Sequence, residues 1–301
     1  MRITNNMIVQ AQFDAMQSNI AALSRASAVA TNGKRLQQAS DDPTSATQIM
    51  ASNSALRALD TYRTNVQRAS SRVSLEDDVL AQIGDLVTRA KELGLQQGGT
   101  TASAATRQTA NAELQQIFNQ IVTLGNTKFG NEYLFGGDQA NTAPFTASGS
   151  GAALDYTSTG AAGSRKVAIG DGQSMEVAHD GQQLLVGTGS LDAIKQLSAA
   201  FDSTSPTYGA AGIGSAITSL DSAFDSLQTL VGDVGARGKQ LDMAAENIAA
   251  YKTNLTTFKS NLEEVDIETA VTELTQRQMA YQAALLSTSK VMSLSLTDYL
   301  A

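Results

Sequence analysis

The chain contains no cysteine, no tryptophan, a single histidine and only three prolines. Without cysteine there is no disulfide and no thiolate nucleophile, and a lone His179 cannot build a zinc site without further histidine or cysteine ligands. Positive charge is also scarce. The net charge is −8, and Lys34-Arg35 and Arg165-Lys166 are isolated pairs that read as solvated loop charges. A surface that displaces counterions from a phosphate backbone needs a basic stripe, so nucleic acid is not expected as a partner. No stretch approaches the roughly 18 apolar residues that a membrane span needs. The segment from Met1 to Met16 lacks the apolar core of a cleaved secretory signal, so any export is expected to use another route.

What the chain does contain is aliphatic. Hydrophobic residues make up 42% and aromatics only 5%, and Ala, Leu, Gln, Glu and Ser crowd both ends, a composition suited to long helices. Apolar residues step by three and four at Val9, Phe13, Met16, Ile20 and Leu23, and this stripe stops at the helix-ending pair Asn32-Gly33. Ser40-Asp41-Asp42-Pro43 reads as a turn into a helix start: Pro43 suits the first helical position, and the preceding oxygens can cap it. A helix is then expected from about Thr44 to Leu93 on the seam Leu59, Tyr62, Val66, Ala69, Val73, Leu80, Ile83, Val87 and Ala90, interrupted by Glu76. At 1.5 Å per residue its roughly 50 residues would extend about 75 Å, which implies a rod. A third helix carries Ala110, Leu114, Ile117, Ile121 and Leu124 and ends at Gly125-Asn126.

Residues 145–190 change character. Short runs such as Lys166 to Ile169 and Ser174 to Val177 flank Gly170-Asp171-Gly172, a hairpin turn, and Gln183 to Gly187 reads as a further strand. A short helix at about 191–202 and a glycine-rich linker, Gly209 to Gly214, lead to the longest stripe. It runs through Ala216, Leu220, Ala223, Leu227, Leu230 and Val234 to Arg237, a charged intrusion, and on through Leu241, Ala244, Ile248, Tyr251, Leu255, Phe258, Leu262 and Val265. The phase then slips before Ile267, Val271 and Leu274, as at a local change of supercoil.

No catalytic constellation emerges, and neither a cofactor nor a metal is expected. His179-Asp180-Gly181 reads as a turn, and Glu76-Asp77-Asp78 as a solvated helix face without the glycine-centred loop of a calcium site. Near Gly238-Lys239 a phosphate loop fails twice, since Asp233 holds the first glycine position and Gln240 follows the lysine. The terminal stripes are the remaining candidates for function. Chain ends normally have least to pack against, so Phe13, Met16, Ile20 and Leu23 at one end, and Leu274, Tyr281, Leu285 and Met292 at the other, are expected to form an assembly interface. A partner-binding coiled-coil scaffold of some other kind shares this pattern.

Several segments together resemble one family. Met1-Arg2-Ile3-Thr4-Asn5-Asn6-Met7, Thr31 to Leu36 leading to Ala39-Ser40-Asp41-Asp42-Pro43, Asn126 to Gly137 followed by Pro144-Phe145, Leu262 to Asp266, and the ending Leu294 to Leu300 occur in the order seen in the flagellin superfamily. The pattern is most similar to its hook-associated protein 3 family, whose members join hook to filament. Tyr133-Leu134-Phe135-Gly136-Gly137 and Asp298-Tyr299-Leu300 favour that branch over filament flagellin, which stays the nearest alternative. The resemblance implies a non-enzymatic structural subunit of the bacterial flagellum. It implies as partners copies of itself, the first hook-associated protein, flagellin and a flagellar export chaperone. It also implies an extracellular location reached through the flagellar type III channel. The expected fold is mainly α, a long antiparallel helical rod built from both chain ends with a small β-rich insert. Terminal assembly helices are expected at 1–43 and 267–301, the rod at 44–140 and 191–266, and the inserted outer domain at 141–190.

Overall fold

The computed structural model describes residues 5–99, 102–159, 163 and 165–300, with the side chains of 5, 6, 8, 9 and 291–300 outside the description. The fold is mainly α, built from both chain ends, with short antiparallel strands inserted between the helical halves. The chain divides into two compact units, residues 1–58 with 251–301, and residues 59–250.

The first unit holds α1 (Asn5–Asn32), the start of α2 (Pro43–Gln97), the end of α5 (Ala210–Glu263) and α6 (Ile267–Leu300). α1 stops because Gly33 takes a left-handed backbone, φ +66°, and its amide returns to the Val29 carbonyl at 2.9 Å, an ordinary glycine cap. Asp42 caps α2: its Oδ1 accepts from the amides of Thr44 and Ser45 at 3.2 and 3.1 Å, and its Oδ2 from the Ser45 hydroxyl at 2.6 Å. These hydrogen bonds hold the Asp42 carboxyl below its usual range. Where a supercoil change was expected, the chain breaks: α5 ends at Glu263 and α6 starts at Ile267. Asp266 initiates the new helix, its Oδ1 accepting from the Glu268 amide at 3.1 Å. An N-capping aspartate thus explains the slipped phase better than altered supercoiling does.

α1 and α6 run antiparallel. Thr288 Oγ1 meets Gln12 Oε1 at 3.4 Å near one end. At the other end the amide of Arg35 donates to Glu263 O at 2.7 Å, and that of Val265 to Gly33 O at 3.0 Å.

The second unit contains the core. The cluster of buried apolar residues lies entirely between Val66 and Ile248. α2 contributes Val66, Ala69, Val73, Leu80, Ile83, Val87 and Ala90, and α5 contributes Ile213, Ala216, Leu220, Ala223, Leu227, Val234, Leu241 and Ile248. These two stretches run antiparallel, as Lys91 with Asp221 at 2.5 Å and the approach of Ile217 to Gly94 indicate. α3 (Ala104–Gly125), capped by Ser103 through the Thr106 amide at 3.2 Å, adds Leu114, Ile117, Phe118 and Ile121. The expected linker at Gly209 to Gly214 is mostly helix. α5 begins at Ala210 because Ile213 and Ala216 already belong to the buried stripe.

Three two-stranded antiparallel hairpins follow α3: β1 (Lys128–Phe129) with β2 (Glu132–Tyr133), β3 (Phe145–Ser148) with β4 (Asp155–Ser158), and β5 (Lys166–Gly170) with β6 (Gln173–Glu176). Asn65 on α2 donates through Nδ2 to Ala168 O at 3.0 Å, which ties the third hairpin down. The strand expected at Gln183 to Gly187 is instead a π-helical turn, Gln182–Gly187. A strand would point consecutive residues to opposite faces, whereas Leu184 and Leu185 are both fully buried and need one face. α4 (Ser190–Phe201) closes the unit with Leu191, Ile194, Leu197 and Phe201 inside.

Candidate functional site

The terminal helices place large apolar side chains in solvent. Phe13 is 44% exposed, Ile20 44% and Leu285 41%, while Met16, Leu23, Leu274 and Tyr281 are partly buried. Met292 lies in α6 with its side chain outside the described residues. Beside the predicted set, Ile267, Val271, Met279 and Leu286 are also exposed, Leu286 at 69%. Among the described apolar side chains of α1 and α6, only the small Ala26 and Ala270 are buried. The helix pair therefore leaves much of its apolar surface uncovered in one chain. Sequence spacing found one of its stripes and missed Met279 and Leu286, which sit off that stripe.

Tyr251 and Phe258 depart from expectation in the same sense. Both fall on the long α5 stripe, yet they are 67% and 46% exposed.

The segment resembling the family at Asn126 to Gly137 is a structural clamp within the second unit. Asn126 brackets Phe145, its Nδ2 donating to Phe145 O at 2.8 Å and its Oδ1 accepting from Phe145 N at 3.1 Å. Arg72, buried on α2, donates from Nη2 to Leu134 O at 2.7 Å and faces Glu132. Burial lowers the Arg72 guanidinium's affinity for its proton, and Glu132 partly offsets this. Glu132 also pairs with Arg165, whose hydrogen bonds hold the Glu132 carboxyl below its usual range. Lys34 likewise pairs with Glu263 and lowers that carboxyl. Neither Lys34 nor Arg165 is a mere solvated loop charge.

Sequence reading misplaced one group altogether. Glu76 is fully buried and His179 is 5% exposed, whereas a solvated face and a turn were expected. The ring Nδ1 lies 2.6 Å from Glu76 Oε1, and Nε2 lies 2.9 Å from Asp233 Oδ2. Arg237, the charged intrusion of the α5 stripe, meets Asp233 at 2.8 Å and Nε2 at 3.2 Å. Among the described residues no three His, Asp or Glu side chains converge as metal ligands, and no helix is long and apolar enough to cross a membrane.

The family model of the bacterial flagellin N-terminal helical region matches residues 3–140, and that of the C-terminal helical region matches 217–300. Together they take in both terminal helices and most of the second unit's long helices. The chain belongs to the flagellin superfamily. Within the superfamily it is similar to flagellar hook-associated protein 3 of Escherichia coli, at 26% identity over 88% of this chain and 82% of the relative. The Salmonella typhimurium hook-associated protein 3 is 24% identical, over 98% of each chain. In fold, this flagellin-superfamily chain matches the flagellar junction protein FlgL from Legionella pneumophila with a TM-score of 0.59, at 17% identity, over 72% of this chain and 99% of that one.

Proposed function

We propose that this chain is the structural subunit that joins the flagellar hook to the filament. The observation that carries the reading is where the core stops. The buried cluster ends at Val66 and Ile248, while α1 and α6 beyond it keep Phe13, Ile20, Met279, Leu285 and Leu286 in solvent. Full burial of such a side chain contributes roughly 1.5–3 kcal/mol; at 41–69% exposed each contributes part of that, so several together drive association. Phe13, Met16, Ile20, Leu23, Leu274, Tyr281, Leu285 and Met292 are the interface residues in this reading. Its occupants are neighbouring copies, the first hook-associated protein on the hook side and flagellin on the filament side. A flagellar export chaperone covers the carboxyl end before export, and the subunit works outside the cell. It carries no enzymatic activity.

The names of the full-length relatives support the junction role. A filament subunit is the second reading, favoured by the two flagellin family models that span both ends. Purified protein separates the two. The junction subunit stays short of filaments by electron microscopy until hook ends are supplied, then decorates those ends. Long filaments grown from the protein alone contradict the junction role.

A further inference from the structure

Asn32-Gly33 is the one asparagine–glycine pair in the chain, and the proposed interface does not use its side-chain amide. Asn32 is the last residue of α1 and is exposed. Its Nδ2 lies 3.5 Å from Gln37 Oε1 and is otherwise turned to solvent. Asparagine is a thermolabile residue type, and one followed by glycine carries its own nucleophile. Once its proton leaves to a solvent base, the glycine nitrogen can attack the asparagine Cγ, because no Cβ on the glycine obstructs the approach. The new N–Cγ bond closes a succinimide ring, and the side-chain nitrogen takes a proton from water and departs as ammonia. A water molecule then opens the ring at either carbonyl, leaving aspartate or isoaspartate. The sum is one water consumed and one ammonia released, with no oxidant, reductant or enzyme.

The structure places a gate on this reaction. The Gly33 amide is turned along α1 and donates to Val29 O at 2.9 Å, so its nitrogen faces a carbonyl and not the Asn32 side chain. The next peptide plane is pinned as well, since Gly33 O accepts from the Val265 amide at 3.0 Å. Two residues on, the Arg35 amide donates to Glu263 O at 2.7 Å. Swinging the Gly33 nitrogen onto Cγ requires both of its neighbouring bonds to let go. The end of α1 must unwind and part from Val265.

We propose that Asn32 is a spontaneous deamidation site gated by the bridge between α1 and the start of α6: the closed bridge preserves the amide, and the open one lets the Gly33 nitrogen convert it. The product does not restore what was lost. A carboxylate on the last residue of α1 opposes the helix dipole, and isoaspartate adds a methylene to the main chain just where Gly33 must meet Val265. A chain that waits with the bridge open is therefore changed irreversibly, while a closed one keeps Asn32 intact. This reading stands apart from the junction role, because it rests on the Asn32-Gly33 geometry alone.

The test incubates purified full-length protein in mildly alkaline buffer and follows each asparagine by peptide mass spectrometry, with isoaspartate scored by an isoaspartyl methyltransferase. The same chain held in urea supplies the open-state rate. Asn32 should react fastest of all the asparagines in urea, and roughly tenfold or more slowly in the folded protein. The ratio of folded to urea rates should match the open fraction read from hydrogen exchange at the Gly33 and Val265 amides of the same sample. Val265→Pro, which lacks the amide that reaches Gly33, should raise the folded rate at Asn32, while Asn126, clamped on Phe145, keeps its own. If that variant loses its helices, the comparison with hydrogen exchange in the intact chain decides alone. A folded rate equal to the urea rate overturns the gate, as does a ratio that departs from the open fraction by more than about tenfold. An Asn32 that reacts no faster than the other asparagines in urea overturns the site itself.

Discussion

The backbone amide of Arg35 donates to the carbonyl of Glu263 at 2.7 Å, and two residues away Val265 returns the contact to Gly33 O at 3.0 Å. This two-bond bridge joins chain positions more than two hundred residues apart, and the Lys34–Glu263 ion pair sits on it. It sets the register in which α1 meets α6. Gly33 at φ +66° makes the bridge geometrically possible. A valine there has open space for its side chain but pays about 1–2 kcal/mol for the left-handed backbone. Gly33→Val should therefore speed amide exchange along α1 and α6 while α3 stays protected. Unchanged exchange in α1 would mean that the bridge does not set the pairing.

A second glycine is required for the opposite reason. A Cβ on Gly125 would stand 2.7 Å from Leu185 Cδ1 and 2.9 Å from Phe145 Cδ2. Phe145 cannot yield easily, because Asn126 holds its backbone on both sides. Overpacking of this kind costs about 1–3 kcal/mol, more than the helix-propensity gain of alanine at a helix end. Gly125→Ala should lower the thermal midpoint of the second unit. A raised midpoint would show that the π-helical turn can shift aside.

Stability should fall at both ends of the pH scale. Glu132, Glu263 and Asp155 are held below the ordinary carboxylate range by Arg165, Lys34 and Lys195, respectively. Their folded values lie below the unfolded ones, so their contribution is present above pH of about 4 and disappears as pH drops through the folded values. Tyr156 behaves in the other direction. Burial first, and Asp192 beside it, push its phenol up to about 12. The unfolded chain gives up that proton first, at a pH of about 10, so stability declines between the two values. Thermal melts should show both limbs, and Tyr156→Phe should flatten the alkaline one. An alkaline limb unchanged in that variant would assign the loss to another group.

Much of this architecture could be read from spacing. The stripe Leu59, Tyr62, Val66, Ala69, Val73, Leu80, Ile83, Val87 and Ala90 is buried from Val66 onward and partly buried at Leu59 and Tyr62, because a three-and-four step maps directly onto one helix face. The same rule failed at Tyr251 and Phe258, since periodicity marks a face without saying whether anything covers it. Glu76, His179, Asp233 and Arg237 were unreadable for a different reason. Glu76 and Arg237 stand on apolar stripes, but only pairing with His179 across 103 and 58 residues shows what their charges meet there. Asp266 was legible in principle, being a helix-capping type at the point where the stripe lost phase.

Leu285 separates internal packing from assembly. At 41% exposed on α6, it has much of its surface available to a neighbour, and only part of it would be lost to the single chain. Leu285→Asp should keep the monomer folded, with the second unit's melting unchanged, yet remove its ability to occupy hook ends. If the variant unfolds the isolated chain, α6 is internal core and the interface lies elsewhere.

The most direct measurement is made in the bacterium that carries this chain. Its gene is deleted, the cells are imaged by electron microscopy, and flagellin is assayed in the medium. A junction subunit predicts hooks that bear no filament, flagellin shed into the medium, and filaments restored by the intact chain but not by the Leu285→Asp variant. Filaments of normal number and length on the deletion strain would contradict it.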